Sequence, residues 1–438
     1  MSTNERSSNT DTQLQRISQL SGGDRGMQVN NLMRFYNEES LTACFHALDR
    51  KKAVGPDGRT KDDYGVKLDE NIGDLVARMK RMAYRPGPVR QVLIPKEGKP
   101  GTFRPLGISD IEDKVVQKMT KKILESIYEP LFLNCSYGFR PGRGAHDALR
   151  DLHDFLFRND IQTVIDVDLA AYFDTIDHRI LEELLQEKIT DFTFMRYISR
   201  MFKAGVLAEG ELSISEEGVP QGSSCSPVLA NVMAHHVIDV WFEETVKSHV
   251  RGKVALFRYA DDLVICCQYD ADAERVKAAL GKRLTKFKLR MNEDKTKLIR
   301  FSKKAQGRGA KQGTFDYLGF TFFLGKSPRG FVVPKLKTSS KRIRAKLKRV
   351  NTWAKSVRCH YRMPALWKTF CRKMMGHINY YGVTDNVTAV QDFVCSATRI
   401  LYKWLNRRSQ RRSFNWEQFN RFMAANPRPR ICVKVALY

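Results

Sequence analysis

In the stretch FRYADDLVICCQ, Phe257 to Gln268, two aspartates stand side by side between two apolar runs. Carboxylates repel one another and resist burial, so Asp261 and Asp262 on one tight turn need a positive charge to offset the cost. A third acid, Asp168, sits near the end of the strand-like run TVIDVDL. If the two strands are sheet neighbours, three carboxylates converge at one sheet edge and form a site for divalent cations. Mg²⁺ suits it, being a hard ion that takes oxygen ligands and keeps water and substrate phosphates in its remaining positions. Two such ions about 3.5–4 Å apart activate an attacking hydroxyl and stabilise a leaving pyrophosphate in phosphoryl transfer. An Asp pair in a turn is ordinarily solvated loop chemistry. Here both flanks are apolar β runs, which makes the acidic turn part of a buried hairpin.

The elements around these acids follow from hydrophobic period and turn residues. Val89 to Lys96 (VRQVLIPK) reads as a strand, Asp110 to about Tyr128 as a helix, and TVIDVDL as a strand leading into a helix. GVPQGSSCSPVLANVMAHHVIDVW opens a long helix after a Gly-Pro-Gly turn, VALFRYADDLVICCQ reads as a hairpin, Asp270 to Phe287 as a helix and FDYLGFTFFL as a strand pair. This order predicts an α+β protein with a mixed sheet backed by helices. Residues 1–26, rich in Ser, Asn, Thr and Gln, are expected to be disordered. Past residue 335 the pattern is wholly helical. There Ile343, Leu347, Val350, Trp353 and Val357 fall on one helix face while Lys and Arg cover the other.

Composition narrows the partners. With 438 residues and 42% hydrophobic content the chain has room for about two to four domains with real cores. It carries no run of about 18 apolar residues and no basic-then-apolar leader, so no membrane partner and a cytoplasmic location are expected. The nine cysteines are scattered without a CxxC pair, the pattern of reduced thiols. Cys359, His360, Cys371 and His377 lack the tight paired spacing of zinc ligands, and no zinc is expected. Lys326 to Tyr438 holds 26 Lys and Arg against three acids, a surplus of 23 out of the chain's +27. A folded module this basic binds a polyanion. Trp353, Trp367, Tyr380, Tyr381, Trp404 and Trp416 could stack on unpaired bases, although large aromatics at helical spacing are mostly interior.

The ordered set KKAVGPDG, FRPLGISDIEDKVVQ, SYGFRPGRGAHDAL, VDLAAYFDTIDH, GVPQGSSCSPVLAN, FRYADDLV, NEDKTKL and FDYLGF resembles the blocks of a reverse transcriptase of the bacterial group II intron-encoded type. GHINYYGVTDN and WLNRRSQRRSFNWEQFN are similar to that family's maturase, or thumb, module. The sequence ends without the Cys and His pairs of an endonuclease, so it resembles the short members, or group II-like reverse transcriptases that have left their intron. The resemblance implies a right-hand polymerase: fingers and palm over 27–325 and an all-helical thumb/maturase module over 326–438. It implies RNA-directed DNA polymerase activity on an RNA template, with a DNA primer or target and dNTPs, and binding of group II intron RNA for splicing and mobility. A group II-like enzyme of defence or DNA repair, or an RNA-binding splicing factor with a vestigial polymerase, stay open as alternatives; the intact Asp168, Asp261 and Asp262 argue against the last.

Residue by residue, Asp168, Asp261 and Asp262 match the catalytic metal triad, with Leu169 lending a main-chain carbonyl to Mg²⁺. Lys96 and Arg104 match the fingers residues that grip the triphosphate, Gln221 the residue lying along the incoming nucleotide, and Lys295 a palm lysine near the phosphates. Phe173 matches the aromatic that crowds a ribose 2′-hydroxyl, though Tyr172 and Phe173 alternate and one must face inward. Lys341, Arg342, Lys348 and Arg349 are the expected RNA contacts. Ser223, Ser224 and Cys225 follow PQG where the family often has small and aliphatic residues.

Overall fold

An apolar run that does not alternate predicts a strand covered on both faces. The computed structural model describes residues 3–95, 101–208, 211–219, 222–408 and 414–437, and its strands are β1 (Val89–Pro95), β2 (Phe103–Ile108), β3 (Thr163–Asp168), β4 (Val206–Ala208), β5 (Glu211–Ser213), β6 (Val254–Tyr259), β7 (Asp262–Cys267), β8 (Lys297–Arg300), β9 (Phe315–Tyr317), β10 (Phe320–Lys326) and β11 (Val332–Thr338). The central sheet runs β6-β7-β3-β8, antiparallel at every pairing. The sheet of residues 160 to 300 is therefore not mixed as expected; the parallel pairing, β1–β4, lies in a second sheet, β2-β1-β4-β5. β9, β10 and β11 form a third.

Strand parity explains the apolar runs. Leu263, Ile265 and Cys267 of β7, with Ile165 and Val167 of β3, enter a core shared with the helices Ile111–Tyr128 and Ser226–Ala234. Val264 and Cys266, with Val164, enter a second core built with β9–β11 and the C-terminal helices. Both faces are therefore covered. Asp166, Asp168 and Asp262 share the parity of this second set, so the acids lie on the face that looks toward the C-terminal module.

Two boundaries differ from the sequence reading. Within the polar stretch expected to be disordered, Thr3–Gly23 forms a helix along Ile111–Tyr128. Leu14 and Ile17, three apart on one face, are buried there, and Ser21 Oγ donates to the Ile127 carbonyl at 2.6 Å. Average composition hides two anchors at helical spacing. The module past residue 326 is likewise not wholly helical at its start, because in VVPKLKT the side chains of Pro334, Leu336 and Thr338 alternate inward and make a strand. Its helices are Ser340–Val357, Met363–Tyr381, Val387–Leu405 and Trp416–Ala425.

Candidate active site

β3 and β7 are neighbours, and in their register Asp168 lies opposite Asp262. Asp261 occupies the turn between β6 and β7, entered through Ala260 in the left-handed region at φ 56°. That conformation is uncommon for alanine and is maintained from below. Arg258, fully buried, donates to both carboxylate oxygens of Asp239 at 2.7 and 2.5 Å, to Asn231 Oδ1 at 2.9 Å, to Ser136 Oγ at 2.7 Å and to the Ala260 carbonyl at 3.4 Å. Burial opposes the charge, but Asp239 more than offsets it and holds the guanidinium pKa above its ordinary value. The sequence reading missed this residue because an arginine beside a strand run looks like a surface cation; its signal is a charge inside an inward-facing apolar segment.

Two other cations act on the acids. Lys295 Nζ lies 2.6 Å from Asp168 Oδ2, with both side chains about half exposed. Arg104, on β2, acts electrostatically on Asp261 and opposes the rise that burial causes in its pKa. These do not neutralise the cluster. Asp262 is pushed up to about 7 by burial and by the neighbouring charges of Asp166, Asp261 and Asp168, partly opposed by the Leu318 backbone. Asp166 is pushed up to about 6 by burial and by Asp316. Asp166 was not among the expected site residues, although its place two residues before Asp168 puts it on the same face.

Tyr172 is the inward member of its pair, buried with its hydroxyl donating to the Ala230 carbonyl at 2.7 Å. Phe173 is only half-buried, its ring 5.6 Å from that of Tyr172. Leu169 is buried and bridges Met291, while the Asp168 carbonyl accepts from Asn292. Lys96 and Gln221 fall outside the described residues. The glycine after Gln221 packs tightly on β2: a Cβ on Gly222 would lie 2.2 Å from the Gly107 carbonyl oxygen, and its φ is 119°. Only glycine fits there. Beyond it, Ser223 and Cys225 are buried and hydrogen-bonded to each other at 3.1 Å, so the polar residues after PQG pack inward.

Asp168 and Asp262 thus stand opposite each other at the end of β3 and β7, Asp261 lies in the adjoining turn, and Arg104 acts on it through its charge. The family described as reverse transcriptase (RNA-dependent DNA polymerase) matches residues 94–322, just over half of the chain and the part that carries Asp168, Asp261 and Asp262. The chain belongs to the reverse transcriptase family. Its similarity to curated proteins points to the group II intron type. It is 32% identical over 314 residues to Protein YkfC of Escherichia coli (strain K12), covering 63% of this chain and 81% of that one. It is 33% identical over 226 residues to the group II intron-encoded protein LtrA of Lactococcus lactis subsp. cremoris, covering 51% of this chain and 37% of LtrA. Nuclear intron maturase 2, mitochondrial, of Arabidopsis thaliana is 28% identical over 178 residues, covering 32% and 24%. RNA-directed DNA synthesis is the activity of the reverse transcriptase family.

Reverse transcriptases work with divalent metal ions, and the acid excess fits them: carboxylates whose charge is opposed by burial and by one another gain most from a cation. Among the described residues no three acidic, histidine or cysteine side chains converge on one point as a ready-made cage. Lys295 stands at Asp168 instead.

In the reverse transcriptase's C-terminal module, Ile343, Leu347, Val350, Trp353 and Val357 all join the second core, and Lys341, Arg342, Lys348 and Arg349 are exposed. Of the six aromatics, Trp367 and Tyr381 are buried, Trp353, Tyr380 and Trp404 are half-buried, and Trp416 is 45% exposed with its ring stacked on Tyr402 at 4.0 Å. His377 is stacked on Phe393 at 3.8 Å, and burial pushes its pKa down to about 3. Among the described residues no helix is long and apolar enough to cross a membrane.

Proposed function

We propose that this reverse transcriptase copies RNA into DNA at the edge formed by Asp168, Asp261 and Asp262, and that its basic helical module grips the group II intron RNA that encodes it and assists its splicing. The observation that carries the reading is the register that sets Asp168 opposite Asp262 with Asp261 in the adjoining turn. Asp168, Asp261, Asp262 and the Leu169 carbonyl would hold two Mg²⁺ ions, which supply Lewis acidity to the attacking 3′-hydroxyl and the leaving pyrophosphate. Arg104, with Lys96, grips the triphosphate by charge-assisted hydrogen bonds. Gln221 lies along the incoming nucleotide. Lys295, which covers Asp168 now, turns to the phosphates as they arrive and protonates the leaving pyrophosphate. The nine free cysteines suit a cytoplasmic, reducing location.

Purified protein with Mg²⁺ should extend a DNA primer on an RNA template, and a chelator should stop it. Absence of extension with both Mg²⁺ and Mn²⁺ would refute the reading.

Phe173 sets sugar choice in this proposal, and its half-buried ring beside Tyr172 supports that role. Phe173→Val should raise ribonucleotide incorporation by roughly 10-fold or more, the scale of about 1.4 kcal/mol of relieved clash, with deoxynucleotide extension largely kept. Normal activity with unaltered discrimination would return Phe173 to a packing role.

For the module, Lys341→Gln/Arg342→Gln/Lys348→Gln/Arg349→Gln should weaken RNA binding and flatten its dependence on salt, each lost phosphate contact reducing the log–log slope by about 0.7 to 0.9. Melting should move little, because exposed charges contribute little to folding. A variant that melts early would mean these residues pack; an unaltered slope would put the RNA on another face.

A further inference from the structure

The far end of the same helix carries a different arrangement. Lys355, Arg358, Lys403 and Arg407 all stand around the ring of Trp404, with charge-to-centroid distances of 5.9, 5.2, 5.6 and 5.5 Å. They come from the C-terminal ends of Ser340–Val357 and Val387–Leu405 and the residues just beyond. The group is built rather than splayed. Trp404 Nε1 donates to Asn351 Oδ1 at 2.8 Å, which fixes the indole plane, and Arg358 donates to the carbonyls of Lys355 at 2.6 Å and Arg407 at 3.1 Å. Next in sequence, Arg408 has Nε and Nη2 shielded from solvent without a hydrogen-bond partner among the described residues. Its carbonyl meets Cys359 Sγ at 3.8 Å, which ties it to the same corner.

Helix C-termini attract cations, and a ring face attracts them too, each only weakly when exposed. Neither accounts for five cations at one corner without an acid. Among the described residues none of the five forms an ion pair with a carboxylate; from Lys326 onward the acids are Asp385, Asp392 and Glu417, and Glu417 is paired with Arg421. Shielded guanidinium donors without partners cost stability unless an acceptor arrives.

We infer that this corner is a second nucleic-acid site, a clamp for the phosphodiester backbone of RNA centred on Trp404 and formed by Lys355, Arg358, Lys403, Arg407 and Arg408. The choice of RNA rests on the proposed function, since a structured RNA is the polyanion assigned to this module. The clamp is remote from the chemistry. Arg342, near the start of the helix, lies against the β9–β10 turn at Gly319, and Leu318 of that turn contacts Asp262. Lys355 lies thirteen residues further on, about 20 Å along the helix axis at 1.5 Å per residue.

The test uses the full chain, a fluorescent RNA hairpin with a single-stranded tail, and primer extension on a short RNA template. Lys355→Gln/Arg358→Gln/Lys403→Gln/Arg407→Gln should lower hairpin affinity by roughly 10-fold or more at low salt and reduce the slope of log affinity against log salt by about 1 to 3, with short-template extension unchanged. Lys355→Gln/Lys403→Gln changes only exposed side chains, retains the Arg358 anchor and should show about half the slope change. Ultraviolet crosslinking of the parent protein to the hairpin should place RNA on the peptide containing Trp404. A parent-like slope in the double variant, with RNA crosslinked elsewhere, overturns the clamp even if the quadruple variant misfolds. Loss of extension in the parent protein would count against the proposed function and leave the clamp's own readouts intact.

Discussion

Asp261→Asn is expected to reduce primer extension by roughly 10²–10³-fold or more, the loss seen when one preorganised charge-stabilising group is removed from a transition state, while RNA affinity stays within about twofold. Asparagine keeps the size and one oxygen but removes the negative charge that draws a divalent ion. It also relieves repulsion on Asp262, whose pKa is held near 7 by burial, Asp166 and Asp261, so the variant should melt no earlier than the parent. The sign follows from linkage: a carboxyl whose folded pKa is raised costs stability as pH rises from its unfolded value toward the folded one, and removing a charge that raises it lessens that cost. Asp166→Asn is the control. It sits on the same face and relieves the same repulsion, yet it is outside the proposed triad and should keep substantial synthesis. Substantial extension by Asp261→Asn would remove Asp261 from the site, and an Asp166→Asn enzyme as inactive as Asp261→Asn would enlarge the site to four carboxylates.

The palm was legible in the sequence because two periodicities coincide there. β3 and β7 are covered on both faces, so each reads as an unbroken apolar run, and the acids appear where the run reaches solvent. The YLG turn between β9 and β10 was legible for a local reason, since Leu318 and Gly319 both take positive φ and glycine permits such a turn. What stayed hidden depends on contacts distant in sequence. Nothing near Asp239 says that its carboxylate meets Arg258, 19 residues away, inside a helix wound with wide π-type turns. Lys295 and Lys297 look alike in NEDKTKL; the loop brings Lys295 to Asp168, whereas Lys297 belongs to β8 opposite Asp166. The aromatics of the C-terminal module were harder still. Helical spacing says which side of a helix Trp404 occupies, but not that four cations from two helix ends leave it half-covered.

Arg258→Met should be the most destabilising single change beneath the site. The substitution keeps an unbranched apolar stem but leaves Asp239 buried and uncompensated, and deprives Asn231, Ser136 and the Ala260 carbonyl of a shared donor. Breaking one partner of a buried pair costs about 3–5 kcal/mol. Arg258→Lys should not rescue it, because an ammonium cannot reproduce the planar fork that reaches both Asp239 oxygens and three further acceptors. Arg258→Met/Asp239→Leu separates folding from positioning. Replacing the whole pair by apolar groups removes the stranded charge and should recover most of the lost stability. Extension should stay low, since nothing then draws the Ala260 carbonyl downward to keep Asp261 and Asp262 aimed at the open edge. Denaturant melts read the first effect and kcat for primer extension reads the second. A loss under about 1 kcal/mol in Arg258→Met would show that the buried pair does not brace the hairpin, and full activity in the double variant would show that the acidic turn holds its aim without it.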